Sequence, residues 1–172
     1  AGNTKDAYDA ANEVILAQQN SDLFPWVKTE DITTTTIELR DRTFSTEHLF
    51  AFNTNKLGEY IKGYFRETST PLISRILPAE LYEPDDYRNA LYEIYSGSAN
   101  VLTKFWQLES VYVSGQGLVR PKRDRMPGIR IAEMYYIATE ALKDSNIGEA
   151  ITTLNMLRAY RGLPGLSNLS KE

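Results

Sequence analysis

The chain has 172 residues, a formal net charge of −4 and no cysteine. That length suits one domain with its own core and falls short of two, and the lack of cysteine excludes disulfides, thiolate metal ligation and a thiol nucleophile within it. The mildly negative balance argues against a nucleic-acid surface, because binding a phosphate backbone needs a positive field, and no apolar run reaches the roughly 20 residues needed to cross a bilayer.

In chain order, the spacing of apolar residues predicts a helix over 4–19, capped by Asn3 or Thr4. Its apolar side, with Ala7, Ala11, Val14 and Ile15, needs a partner. Burying each of the larger side chains is worth about 1.5–3 kcal/mol. A polar loop from Gln18 to Asp22 ends the helix, and Phe24-Pro25-Trp26 opens an irregular stretch. The β-branched run Thr33 to Leu39 is expected to be extended, and Glu47 to Asn53 reads as a short apolar strand. Leu57, Tyr60, Ile61, Tyr64 and Phe65 recur at helical spacing over 56–66, and Pro71, Pro78 and Pro84 divide the following region into turns. A helix is expected after Asp85, which would cap it, up to about Tyr95. Gly97 and Asn100 mark a turn, Thr103 to Val113 reads as extended, and Gly115 with Gly117 marks another turn. The basic run Arg120 to Arg125, broken by Pro121 and Asp124, reads as a solvated loop.

From Met126 to Gly162 the pattern is a helical hairpin. Ile131, Met134, Ile137, Ala138, Ala141 and Leu142 share one face of its first helix; Ala150, Ile151, Leu154, Leu157 and Arg158 share one face of its second. Lys143 to Asn146 form the turn, and Gly162 followed by Pro164 stops the hairpin. Ile137, Ala138, Ala141, Ala150 and Leu154 take the small and large positions of a tetratricopeptide repeat, with alanine where the repeat has tyrosine and a proline that falls late. Ala7, Ala11 and Val14 match Ala150, Leu154 and Leu157, so the opening helix reads as the second helix of a repeat that lacks its first. The expected fold class is mostly α: the repeat helix 4–19, a loop-rich irregular region with short strands over 21–125, and a tetratricopeptide-like hairpin over 126–162, all in one domain.

Catalytic chemistry finds little support. The single histidine, His48, lies in the apolar strand candidate. Asp85 and Asp86 are adjacent, and Glu80 and Glu83 sit in a proline-bounded turn. None of these makes a convincing acid–base pair facing across a glycosidic bond. Phosphate-cradling glycine loops, metal-ligand spacings and calcium loops are absent as motifs, and no cofactor is expected. Arg130, Glu133, Glu140, Asn155 and Arg158 are expected to form a polar network that fixes the register of the hairpin, so that Glu133→Ala lowers stability more than ligand affinity. Eleven tyrosines and two tryptophans suit half-buried surfaces of the kind that cover the C–H face of a sugar. Trp26 and Trp106 are the first binding candidates because each stands beside polar residues outside a clear helical core; Tyr82, Tyr87 and Arg88 follow.

The run Pro127-Gly128-Ile129-Arg130-Ile131-Ala132-Glu133-Met134-Tyr135-Tyr136-Ile137-Ala138-Thr139-Glu140-Ala141, continued by Ala150, Leu154-Asn155 and Arg158, resembles the scaffold motif of the SusD/RagB nutrient-binding proteins of the Bacteroidetes outer membrane. Weaker similarities lie in Glu47 to Phe52 and in Leu81-Tyr82 with Asp86-Tyr87-Arg88 and Tyr92. The resemblance implies a central to C-terminal portion of a longer, lipid-anchored, surface-exposed outer-membrane protein. It implies a non-enzymatic role: capture of an oligosaccharide or related nutrient, as a lid on a SusC-like TonB-dependent transporter. A repeat-type module that binds protein or peptide is the alternative, although a stable solenoid takes about three repeats or more.

Overall fold

The computed structural model of the protein describes residues 3–36, 39–54, 81–95, 99–102, 104, 111–119 and 125–167. Helices carry the main core of this part, and the fold is mostly α. Helix α1 spans Thr4–Gln19 and α2 Thr29–Thr33; α3 spans Ile131–Leu142 and α4 Ile147–Ala159. Among the described residues none of these is long and apolar enough to cross a membrane.

Helix α3 lies between α1 and α4 and touches both. An apolar stripe serves one neighbour; two neighbours require a wider face. Accordingly Ile131, Ala132, Tyr135, Ala138 and Leu142 are buried, with Met134 and Ile137 packed at the margin. Ala11 and Ile15 of α1 and Leu157 of α4 close the same core. The alanines at 11, 132 and 138 have little side chain to hold backbones apart, which suits close helix packing.

Of the three long helices described, α1 and α4 carry a side-chain cap at their start, and α3 carries none. The Asn3 side chain accepts from the Asp6 amide at 3.3 Å at the start of α1. At the start of α4, Asn146 accepts from the Glu149 amide at 3.3 Å while its own amide donates to Glu149 Oε2 at 2.8 Å. The other oxygen of Glu149 accepts from Tyr8 Oη at 2.7 Å, so one carboxylate ties the beginnings of α1 and α4 together. That bond, with some burial, raises the Tyr8 pKa. Helix α4 ends in a Schellman turn: Leu163 N donates to Arg158 O and Gly162 N to Ala159 O, at 3.1 and 3.2 Å. Gly162 holds φ +80°, and a Cβ there would lie 2.5 Å from Tyr87 Cε1. The glycine is required by backbone conformation and by space.

Strands occur among the described residues only as antiparallel pairs. β1 (His48–Asn53) pairs with β6 (Arg125–Arg130), β2 (Tyr92–Tyr95) with β3 (Ala99–Leu102), and β4 (Val111–Val113) with β5 (Gly117–Val119). The first pair runs from His48 opposite Arg130 to Asn53 opposite Arg125, with irregularities around Phe50. Leu49 turns into the helical core, whereas Phe50 and Phe52 stay on the outer face in edge contact.

A second small core holds Val27, Ile32, Phe44 and Leu91, with Tyr87 and Ala90 against it. Phe44 is buried at φ 57°. A bulky residue in that region costs about 1–3 kcal/mol and persists only where its surroundings fix it. Here Asp41 does so, accepting from Ser45 N at 2.9 and 3.0 Å and from Ser45 Oγ at 2.7 Å.

Several expectations from the sequence need correction. Residues 125–130 form β6 rather than the start of the hairpin, so its first helix begins at Ile131. Thr33 closes α2, and Leu39 N bonds back to Thr36 O at 2.9 Å, so the described ends of the 33–39 run are turned rather than extended. The helix expected after Asp85 is a 3-10 segment, Tyr87–Leu91, followed directly by β2. The carboxylate that takes the Arg88 amide, at 2.8 Å, is Asp86. Asn100 lies inside β3, and within 103–113 the described strand is Val111–Val113 alone. The turn at Gly115 and Gly117 is present, with Gln116 N bonded to Val113 O at 3.0 Å. The helix expected over 56–66 and Trp106 lie outside the described residues.

Candidate functional site

The end of α1 and the end of α4 leave a cleft of about 470 Å³ floored by aromatic rings. Positive φ at Phe24 turns the chain after α1, which brings Pro25 and Trp26 back over the helices. Gln18 secures this return: its Nε2 donates to Phe24 O at 2.9 Å, and its Oε1 accepts from Tyr135 Oη at 3.0 Å. Burial raises the Tyr135 pKa, so the phenol stays a neutral donor across the physiological range.

Trp26 is the hub of this floor. Its ring stacks on Tyr160 at 4.7 Å and 17°, tilts against Tyr135 at 5.2 Å, and has the Arg161 guanidinium 5.3 Å from its centroid. Protein contacts therefore already engage the tryptophan that the sequence singled out. The ring presented to solvent is Tyr160, which is 47% exposed. Gln19, Ser21 and Met156 complete the rim; the Gln19 side chain bonds the Tyr135 hydroxyl, and its Nε2 lies 3.7 Å from Met156 Sδ. Among the described residues lining the cleft, none is an Asp, Glu, Lys, Arg or His.

The other described binding candidates lie elsewhere. Arg88 donates to both oxygens of Asp86, with its shortest contact 2.6 Å, and its guanidinium lies 4.5 Å from the Tyr82 ring centroid. Asp86 is buried, so the pair pins the 3-10 segment in place. Tyr87 packs beside Gly162 and donates its amide to Arg161 O at 3.0 Å. Tyr87 thus docks this segment against the end of α4, Tyr82 and Arg88 make contacts within the segment, and only Trp26 of the described candidates borders the cleft.

The polar network expected inside the hairpin is distributed differently. Glu133 and Glu140 are exposed, the latter 3.5 Å from Lys143 in a surface pair. Asn155 instead clamps the tail, donating to Leu166 O at 2.9 Å and accepting from Leu166 N at 2.7 Å. Arg158 donates to Pro164 O at 2.9 Å and to both oxygens of Glu83 at 2.6 and 3.0 Å. Arg130 reaches Phe44, 4.8 Å from its centroid, and burial lowers its pKa.

Among the described residues, the deepest ionic contact was not legible in the sequence. Glu47, wholly buried, accepts from Arg161 Nη1 and Nη2 at 2.9 and 2.7 Å and from Val27 N at 3.3 Å. Arg161 lies 4.6 Å from the Phe44 centroid, so that ring takes guanidinium contacts from both Arg161 and Arg130. The partners are 114 residues apart, and no local pattern couples them.

Several acid–base groups are already engaged in the fold. Asp86 and Glu83 are held by arginines, and Glu47 is sealed in its pair. His48 Nε2 is 2.9 Å from Thr43 O, and its other nitrogen is buried without a partner. Among the described residues no group of histidines and carboxylates is placed to hold a metal ion. Comparison with known protein families, characterised proteins and solved structures finds no match to this chain.

Proposed function

We propose that this chain is part of a non-catalytic nutrient-capture protein of the SusD kind, which holds an oligosaccharide or related nutrient for a SusC-like TonB-dependent transporter. One observation carries the reading. Helix α1 packs on α3, and α3 on α4, in the order of a second repeat helix followed by a complete repeat. In that register Ala138 and Ala150, which hold small-residue positions of the motif, are both buried. The helices then serve as a tetratricopeptide-like scaffold, and recognition belongs to the helix ends and loops carried on it. In this reading the full-length protein is lipid-anchored at the outer-membrane surface.

The test is affinity purification of the full-length protein from detergent-solubilised membranes of the producing cell, with partners identified by mass spectrometry. Recovery of a TonB-dependent β-barrel transporter is the expected result. Recovery of soluble proteins alone, bound through the helices, would favour a repeat-type interaction module.

A further inference from the structure

We infer that Tyr160 is the stacking platform of a subsite for an uncharged sugar ring, backed by Trp26 and rimmed by Gln19. This deepens the nutrient-capture reading and rests on it. The first reason is charge: no described residue lining the cleft is ionised, and the guanidinium against Trp26, that of Arg161, is already paired with buried Glu47. A phosphate, sulfate or uronate would find no counter-charge among these residues. The second reason is the combination of surfaces. A saccharide has an apolar C–H face and a ring of hydroxyls, so it needs a flat apolar platform beside groups that both donate and accept. Tyr160 supplies the platform at 47% exposure, and Gln19, held by Tyr135 and Met156, stands on the same rim with an amide that both donates and accepts.

Preorganisation is the third reason. Tyr160 lies nearly parallel to Trp26, and Trp26 is fixed by Tyr135 and Arg161. A platform already held in place loses little freedom when a ligand arrives. The cleft, at about 470 Å³, falls within the usual size of small-molecule sites.

The experiment is affinity electrophoresis of the intact chain in native gels containing amylopectin, xylan, galactomannan or inulin, with alginate as the acidic comparison and a proline-rich peptide titrated separately. Wild type, Tyr160→Ala, Tyr160→Phe, Gln19→Ala and the distant Tyr112→Ala are compared, with melting temperatures to exclude misfolding. For any neutral polysaccharide that retards wild type, Tyr160→Ala is expected to weaken binding about tenfold or more. Gln19→Ala, on the helix surface, weakens it severalfold, whereas Tyr160→Phe and Tyr112→Ala retain it. Retardation that survives both Tyr160→Ala and Gln19→Ala would overturn the subsite and leave the capture reading standing. Retardation by alginate alone, or Tyr160-dependent binding of the peptide alone, would overturn the neutral-sugar assignment. Retardation by none of these polymers would overturn the subsite together with glycan capture.

Discussion

Replacing Glu47 with alanine is the sharpest perturbation available in the buried frame. The carboxylate is wholly buried and Arg161 is 3% exposed, so the substitution strands a guanidinium away from water. It removes the Arg161 bonds at 2.9 and 2.7 Å and the weaker Val27 contact at 3.3 Å. Bonds to charged groups contribute about 1.5–3 kcal/mol each, and breaking a buried pair from one side costs about 3–5 kcal/mol. Arg161 keeps its contacts with Trp26 and Phe44, each worth about 0.5–2 kcal/mol. These offset part of the loss, which places the expected destabilisation near 3 kcal/mol, the lower end of that range. Arg130 works in the same direction as the loss, because it faces the same carboxylate. Urea unfolding followed by circular dichroism at 222 nm measures the effect. Glu47→Leu combined with Arg161→Leu removes both charges and is expected to be milder than Glu47→Ala alone. A single variant within about 1 kcal/mol of wild type, or a double variant worse than the single, would refute the reasoning.

Other substitutions test other parts of the frame. Gly162→Ala places a Cβ at positive φ, at about 1–2 kcal/mol, and against the Tyr87 ring, at about 1–3 kcal/mol more; a loss of at least 2 kcal/mol in urea unfolding is expected. Glu133→Ala, on the exposed face of α3, is expected to stay within about 0.5 kcal/mol of wild type. Asn155→Ala, which unclamps the tail from α4, is expected to cost about 1–3 kcal/mol by the same measurement. Burial raises the Tyr135 pKa above its ordinary 10.0, so its contribution is intact below that pH and fades as pH rises through the folded value. Melting temperatures from pH 8 to 11 should therefore fall less steeply in Tyr135→Phe than in wild type.

Local signals made α1, α4 and most of α3 readable, because each carries a helical repeat of apolar residues and α1 and α4 also carry an asparagine cap. Gly162 was readable as a stop for the same reason: its requirement is local. β6 was not, since Met126-Pro127-Gly128-Ile129 has no alternation and Pro127 weakens a strand signal. Its strand state comes from pairing with β1, a partner far away in sequence. The 3-10 segment at Tyr87–Leu91 was misread as a longer helix because the pattern does not reveal that β2 follows at once. In the cleft, Trp26 stood out by residue type, whereas Tyr160 was concealed at the end of a helical run. Only the fold brings it onto Trp26 and leaves its ring open to solvent. Glu133 and Arg130 looked like partners by spacing, but Arg130 ends a strand and reaches into the second core instead.

Calorimetric titration of the intact chain with amylopectin, xylan, galactomannan and inulin, followed by chain-length analysis of the recovered polymer, tests most directly whether this protein holds glycan without altering it. Saturable binding of at least one polymer, recovered at its original length, is the expected result. No saturable heat with any of them, or a shortened polymer after binding, would contradict it.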